Sequence, residues 1–549
     1  MKMETSYRQT LPALFARTVM DHGDRPAMAR VGDSPITYSE LKIKIGSVST
    51  LLEQIGIKPG DKVAILSSNM PNWGISYYAI TFLGAVVVPI LPDFHPDEIV
   101  NILKHSECKV VFISDGLLPK LSSLEGNQVP VRIRIEDFSC PEAEYDTALA
   151  DSEEASISGF AVNEDDLAAI IYTSGTTGVS KGVMLTHLNI CFTAEMSGRV
   201  QKITEFDRFL SVLPLSHTYE NTIGLILPML RGACIYYLGK VPTPSLLLPA
   251  LSEIRPTVML TVPLIIEKIF RTRIQPHFSR NFFLHLAIRI PFIRKKLNIV
   301  AGKKLMATFG GELRFFGIGG AKLNKSVEKF LIEAKFPYAI GYGLTETSPL
   351  LAGVNPQTAR LQSTGPAIEG IELKIHQPDK KTGEGEIWAR GPNVMKGYYK
   401  EPGLTAEILT PDGWLKTGDL GMFDRDGYLY IKGRLKNMII CSGGENIYPE
   451  DIESIINNFK HVNDSLVLEQ KGKLVALVHF NRDEIEEEYQ QLKHKISDYA
   501  EQKLEELRIE LQHYVNSRVN RFSQLQVIII QPEPFEKTPT QKIKRFMYT

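Results

Sequence analysis

Eleven consecutive residues, Tyr172-Thr173-Ser174-Gly175-Thr176-Thr177-Gly178-Val179-Ser180-Lys181-Gly182, combine five aliphatic hydroxyls, three glycines and a lysine. Apolar runs flank them, Ala168–Tyr172 before and Val183–Leu185 after. Glycines let backbone N–H groups close in on a ligand, hydroxyls add donors, and a lysine adds a mobile positive charge. That is the chemistry of a cradle for a nucleotide polyphosphate. It is not the Walker form, which needs Gly-Lys-Ser/Thr, whereas here Ser180 precedes Lys181 and Gly182 follows it. The plainer alternative is a polar loop joining two strands.

Four further segments carry related groups. Gly341-Tyr342-Gly343-Leu344-Thr345-Glu346-Thr347-Ser348-Pro349 frames an aromatic ring with glycines, then supplies hydroxyl, carboxylate and hydroxyl. Tyr342 offers a flat face to a purine, Thr345 a donor to a phosphate oxygen, and Glu346 a hard oxygen ligand for phosphate-bound Mg²⁺. The alternative there is a helix start with Thr345 as its N-cap. In Trp414-Leu415-Lys416-Thr417-Gly418-Asp419-Leu420, a carboxylate after a Thr-Gly turn either accepts two hydrogen bonds from a ribose diol or stabilises the turn. His217, within Pro214–Glu220, is a lone histidine beside an apolar segment, more often a structural setting than a catalytic one. The tail from Pro534 to Arg545 carries Lys542 and Lys544 and reads, taken alone, as a basic solvated terminus.

The elements that must hold these groups follow from apolar periodicity. Between Leu11 and about Gly433, helical patterns alternate with short apolar runs: Val63–Leu66, Val86–Ile90, Val110–Ile113, Ala169–Tyr172, Ile235–Leu238, Val258–Thr261 and Leu313–Gly317. That alternation predicts an α/β fold with mainly parallel sheets. The uncharged run Trp73–Pro92 has the length of a membrane span, but Ser76, Thr81, Gly84 and Pro89 divide it into a helix and a buried strand. A β-rich part is expected over about 365–433. Beyond Arg434 a small α+β domain is expected, with a helix at Asp451–Ile456 and a hairpin around Lys471-Gly472. One helix face there, formed by Ile485, Tyr489, Leu492, Ile496 and Tyr499, is expected to cover a sheet completed by Val527–Ile530. The expected division is therefore a large domain over 1–433 and a small one over 434–549.

A chain of 549 residues calls for two or more domains, and 43% hydrophobic with 23% charged residues is ordinary for a globular protein. Lys+Arg 62 against Asp+Glu 63 leaves a net charge of -1, which gives no footprint for nucleic acid. Five scattered cysteines without a Cys-x-x-Cys pair argue for a reducing compartment and against structural zinc. Lys2, Glu4, Arg8 and Arg17 interrupt Met1–Met20, so no signal peptide is read and a cytoplasmic location is expected. Asn281–Lys296 mixes apolar with basic residues; it is either a peripheral membrane patch or a helix packed on the core.

Taken in order, these segments resemble the adenylate-forming (AMP-binding) superfamily of acyl-CoA synthetases, luciferases and peptide-synthetase adenylation domains. Ser216-His217 with Glu220, Asn393–Tyr399 and Glu536–Thr540 are most similar to the long-chain fatty acid–CoA ligases. The resemblance implies ATP, Mg²⁺ and CoA as ligands, with a fatty acid converted to acyl-AMP and pyrophosphate and then to acyl-CoA and AMP. It implies that Thr173, Ser174, Gly175, Thr176, Thr177, Gly178 and Lys181 hold the triphosphate. Gly319, Gly320, Ala321, Tyr342 and Gly343 would meet the adenine, Asp419 the ribose, Arg434 the ribose or a phosphate, and Thr345 and Glu346 the phosphate and its Mg²⁺. His217 falls beside the acyl carboxylate, where it would orient that group.

The same resemblance makes Lys542 the catalytic lysine, although Gln541 precedes it where many relatives have glycine, and Lys544 is the competing candidate. Lys436 occupies the hinge about which the small domain rotates between the two half-reactions. After rotation the loop Ser442-Gly443-Gly444-Glu445 would guide the thiol. Rival readings of the same mechanism are a medium-chain or aryl acyl-CoA ligase, an acyl-carrier-protein ligase and an amino-acid adenylating domain. A rival from another class is a catalytically silent nucleotide-binding scaffold, against which Lys181, Glu346, Asp419 and Lys542 stand together.

Overall fold

The computed structural model describes residues 8–124, 130–140, 161–174, 180–240, 242–274, 290–440, 446–490, 497–538 and 542–548. Two large sheets dominate. One has seven strands in the order Gly397–Tyr398, Ser180–Thr186, Leu167–Ser174, Val86–Ile90, Lys62–Leu66, Cys108–Ile113 and Val131–Arg134. Its neighbours run parallel except for the two pairs at the Ser180–Thr186 end. The other has eight strands: Leu350–Gly353, Tyr338–Gly343, Phe315–Ile318, Val258–Thr261, Arg208–Ser211, Cys234–Tyr237, Pro26–Arg30 and Ile36–Thr37. Only its two edge pairs are antiparallel. The chain is thus α/β with mainly parallel sheets, as the alternation of patterns predicts.

Parallel strands covered on both faces need apolar residues throughout rather than alternation. Val86–Ile90 accordingly is buried along its whole length. The preceding helix, Pro71–Phe82, is buried from Trp73 onward. The uncharged run is core, and no helix among the described residues is long and apolar enough to cross a membrane. The strand expected at Leu313–Gly317 lies at Phe315–Ile318 instead; Leu313 is buried just ahead of it. After Ser211 the chain enters a π-helical segment, Tyr219–Ile226, buried from Glu220 to Ile226, which continues as the α-helix Leu227–Leu230.

Four antiparallel strands form the β-rich part: Glu372–His376, Gly385–Arg390, Leu415–Phe423 and Leu429–Arg434. Past Arg434 a separate three-stranded sheet has its own core, including Ile452, Val467, Ala476, Leu507 and Ile528. Its hairpin, Val462–Gln470 and Lys473–Phe480, turns on Lys471 and Gly472, both at positive φ, the conformation of a tight two-residue turn. Val527–Ile530 completes the sheet in parallel. Among the described residues the cover comes from Ile485, buried in a short helix, Arg482–Gln490, and from Leu504, Leu507, Leu511 and Val515 on Ser497–Asn516. Leu492, Ile496 and the side chains of Tyr489 and Tyr499 lie outside the described residues.

Candidate active site

The phosphate-cradle sequence spans two antiparallel strands, Leu167–Ser174 and Ser180–Thr186. Thr173 pairs with Lys181 and Ser174 with Ser180, with five residues between them. Gly175, Thr176, Thr177 and Gly178 are among them and lie outside the described residues. Gly182 is required at its place: a Cβ there would meet Ile170 Cγ2 at 2.8 Å and the Tyr172 ring at 3.1 Å. Lys181 projects its ammonium over the Tyr398 ring, 5.3 Å from the centroid. The Tyr398 hydroxyl in turn donates to Glu346 Oε1 at 2.8 Å. One tyrosine therefore joins the lysine of the first motif to the carboxylate of the second.

Glu346 lies in a single tight turn, Thr345–Thr347, rather than at the start of a longer helix. The turn is clamped from within, Leu344 N–H donating to Thr347 Oγ1 at 3.0 Å. It is also clamped from outside: buried Asn393 donates through Nδ2 to the carbonyls of Thr347 (2.9 Å) and Leu350 (2.8 Å). Gly343 precedes it because a Cβ would stand 1.7 Å from the Pro349 carbonyl oxygen. Asn393 and Tyr398 belong to the family-like segment Asn393–Tyr399, which carries no role for either side chain taken alone.

Asp419 and Arg434 are cross-strand partners on adjacent antiparallel strands. Asp419 is only 5% exposed, with Arg434 Nε 2.8 Å from Oδ1 and the Tyr342 hydroxyl donating to Oδ2 at 2.8 Å. Burial pushes the Asp419 carboxyl up; the neighbouring guanidinium and phenol pull it back down. Tyr342 itself packs in a small apolar cluster with Met196, Leu351 and Ile368. The Gly319-Gly320-Ala321 turn leaves the strand Phe315–Ile318 with Gly320 at φ +85. A Cβ on Gly319 would come within 3.2 Å of the Tyr219 ring.

Lys542 joins this group from the far end of the chain. The residue is solvent-exposed, and its ammonium lies among the charged groups of Arg434, Asp419 and Glu346. Crowding and the Arg434 guanidinium lower its pKa, while Asp419 and Glu346 raise it. Its charge and burial together push His217 down to about 4, so that imidazole is neutral near pH 7. Lys542 is thus within electrostatic reach of His217, Glu346, Asp419 and Arg434. Its backbone is held by a bond from Lys542 N–H to Thr538 Oγ1 (3.2 Å) and by Arg545, whose guanidinium donates to buried Glu453 at 2.6 Å. Lys544 N–H is bonded to the Glu536 carbonyl. The segment after Arg434 seats on the rest through Lys322–Asp451 (2.6 Å), Asn324–Ser454 (3.2 Å) and Tyr448–Glu384 (2.6 Å). Lys436 is exposed in a short turn, Leu435–Asn437, and Gly443, Gly444 and Glu445 lie outside the described residues.

An apolar cavity of about 50 Å³ lies behind Tyr219, between the eight-stranded sheet and the π-helical segment. Its walls include Ile203, Phe209, Ile223, Leu260, Ile318 and Val354, and no charged side chain lines it.

Residues 15–399 match the model of the AMP-binding enzyme family. A long-chain-fatty-acid–CoA ligase of Drosophila melanogaster, heimdall, is 28% identical over 82% of this chain and 72% of its own. The 4-coumarate–CoA ligase CCL1 of Humulus lupulus is 28% identical over 83% of this chain and 81% of its own. The anthranilate CoA ligase AuaEII, solved with anthranoyl-AMP, superposes with a TM-score of 0.80 at 20% identity, over 100% of this chain and 98% of that one. The chain belongs to the AMP-binding enzyme family.

Proposed function

We propose that this protein is an ATP-dependent fatty acid–CoA ligase with long-chain acids as its substrates. The observation that carries this reading is the uncharged, apolar cavity behind Tyr219, whose wall residue Tyr219 lies two positions along the chain from His217 and whose wall residue Gly341 precedes Tyr342, the partner of Asp419. An alkyl chain gains roughly 0.8 kcal/mol for each methylene taken out of water, which a wall that is apolar apart from Ser197 and Gln201 allows. The cavity as it stands is smaller than a long chain, so entry displaces part of its wall.

A free carboxylate is a poor acyl donor because its leaving group would be oxide. Its attack on the α-phosphorus of ATP forms the acyl–O–P bond, breaks the α–β phosphoanhydride and releases pyrophosphate. Lys181 and Lys542 neutralise charge as the two anions meet, and fixed charges of this kind usually supply the largest catalytic term. His217, uncharged, keeps one ring N–H and orients the acyl carboxylate by donating it. Asp419 and Arg434 hold the ribose, and the 173–181 segment holds the triphosphate. Glu346 suits Mg²⁺: one carboxylate oxygen accepts from Tyr398 while no described residue donates to the other, which would serve as a hard donor in a site completed by phosphate oxygens. When bound, Mg²⁺ supplies charge neutralisation on the phosphates. In the second half-reaction residues 434–549 rotate about Lys436 as a domain distinct from 1–433, withdrawing Lys542. Residues 443–445 then face the acyl carbon, where the CoA sulfur displaces AMP.

The test is pyrophosphate release with acids from acetate to palmitate and with 4-coumarate, with and without CoA. The reading expects acyl-AMP without CoA, acyl-CoA with it, and the highest kcat/KM for long chains. A preference for 4-coumarate would replace it with the aryl reading, which one observation favours: the Ser197 hydroxyl lines the cavity buried and without a partner. No acid-dependent release at all would leave the silent scaffold.

We further propose that the protein is cytoplasmic and makes peripheral contact with anionic membrane. Helix Pro291–Thr308 exposes Phe292 (66%) and Val300 (55%) beside Lys296, Lys303 and Lys304, and no acidic residue occurs between Glu267 and Glu312. Basic and apolar groups on one helix face suit a lipid surface. Failure of the intact protein to float with phosphatidylglycerol liposomes removes that part.

A further inference from the structure

The π-helical segment presents two faces. Tyr219, Ile223 and Leu227 line the apolar cavity. Between them run Glu220, Asn221 and Thr222, all at 1% exposure or less. A carboxyl, an amide and a hydroxyl are costly to bury and are ordinarily fully bonded. Here Glu220 Oε2, both polar atoms of the Asn221 side chain and Thr222 Oγ1 have no partner. π turns are rare and collect at functional sites.

The Glu220 side chain folds back along its own turn. A Cβ on Gly224 would lie 2.7 Å from its carboxyl carbon and 2.9 and 3.0 Å from its oxygens. Glycine at 224 therefore leaves room for the Glu220 carboxyl, which packs the wide turn from inside. The groups acting on it are Tyr219 on its own segment, Tyr237 on the neighbouring strand and the Ser211 hydroxyl; no cation is among them.

We propose that Glu220 is a positioning residue for acyl binding: its carboxyl, seated over Gly224, keeps the π turn wound and so holds Tyr219 and Ile223 on the cavity wall. The inference rests on the ligase reading. Burial without a cation pushes Glu220 up to about 8, so it is a neutral acid at pH 7. Its ionisation puts an uncompensated charge inside the turn, and the wall must yield to let water reach it.

The test measures decanoate-dependent pyrophosphate release without CoA between about pH 6 and 9.5, where decanoate itself stays ionised. In the wild type the KM for decanoate should rise as pH passes about 8 while the KM for ATP does not follow it. Glu220→Gln, similar in shape and unable to ionise, should keep the neutral-pH KM and lose the alkaline rise. Gly224→Ala should raise the decanoate KM about tenfold at neutral pH, the scale of overpacking a filled site. A second readout needs no turnover. An acid raised to about 8 keeps its proton when folded and releases it on unfolding, so stability falls as pH rises from the ordinary carboxyl range towards 8. Glu220→Gln should flatten that slope in thermal unfolding. Release with an alkaline limb identical in wild type and Glu220→Gln, or a decanoate KM untouched by Gly224→Ala, overturns this inference alone. No acid-dependent release from wild type sinks the ligase reading and this inference with it.

Discussion

Arg434 stands directly across from Asp419 on the neighbouring strand, its Nε 2.8 Å from the carboxylate. The pairing serves the empty site as well as the filled one, because a buried carboxylate without a cation would be destabilising. It leaves the Asp419 oxygens positioned to accept from a diol while Arg434 keeps its remaining donors. Asp419→Ala should raise the KM for ATP by about 10- to 100-fold, as loss of hydrogen bonds to a charged group costs about 1.5–3 kcal/mol. The acid's KM should hardly move. Exchange of labelled pyrophosphate into ATP measures this, and an unchanged KM for ATP takes Asp419 out of the nucleotide site.

Lys542 and Lys544 are two residues apart, but only Lys542 lies within reach of Glu346, Asp419 and His217. Lys542→Ala should slow adenylation by about 100- to 1,000-fold, the cost of removing one fixed transition-state donor. Thioester formation from supplied acyl-AMP should be largely spared, and Lys544→Ala should change neither step. Equal loss in both half-reactions for Lys542→Ala would mean the lysine holds the fold or the adenylate rather than serving the first step.

What was legible in the sequence was the chemistry carried by contiguous residues. The cradle, the Thr345–Glu346 turn and the Thr417–Asp419 turn each hold their functional groups within a few positions, so residue type and order suffice. Groups that act across the chain were not legible. Tyr398 reaches Glu346 over a separation of 52 residues, and Asn393 reaches Thr347 over 46. Both fall in the family-like segment Asn393–Tyr399, but nothing local marks the distant residue each one reaches. The π segment was hidden for another reason: Tyr219, Ile223 and Leu227 keep a spacing of four that an ordinary helix would also show. On Ser497–Asn516 the buried Leu504, Leu507, Leu511 and Val515 have helical spacing, but the charged residues between them lowered the apolar signal.

His217 gives a pH prediction with a definite sign. Burial and the Lys542 ammonium lower it to about 4, below its ordinary value near 6.5. Between those values the unfolded chain binds a proton that the folded chain does not, so stability is lost as pH falls through that window. His217→Gln should reduce this loss in unfolding followed from about pH 7 to 4, leaving the part due to His187, which burial lowers to about 4 as well. Adenylation in the wild type should show no limb near pH 6.5 from this imidazole. A histidine resonance for residue 217 that titrates at its ordinary value would contradict the assignment.

Gly317 sets the depth of the apolar cavity. It lines the wall in the strand Phe315–Ile318, and a Cβ there would stand 3.0 Å from the Tyr219 hydroxyl, 2.9 Å from Leu260 Cδ2 and 2.9 Å from Phe315 Cε1. Three neighbours from three different elements close on one point, so an added side chain has to displace one of them or project into the cavity. A strand residue at this position has no steric need for glycine from its backbone, since its φ is not in the left-handed region. The space itself is what the residue preserves. Gly317→Val should therefore cut kcat/KM for palmitate by about 100-fold, a loss of roughly 3 kcal/mol of chain burial. Activity with butyrate should be kept or gained and the KM for ATP should stay unchanged. A uniform fall across all chain lengths, with a lowered melting temperature, would show that Gly317 serves packing of the sheet and that the acyl chain runs elsewhere.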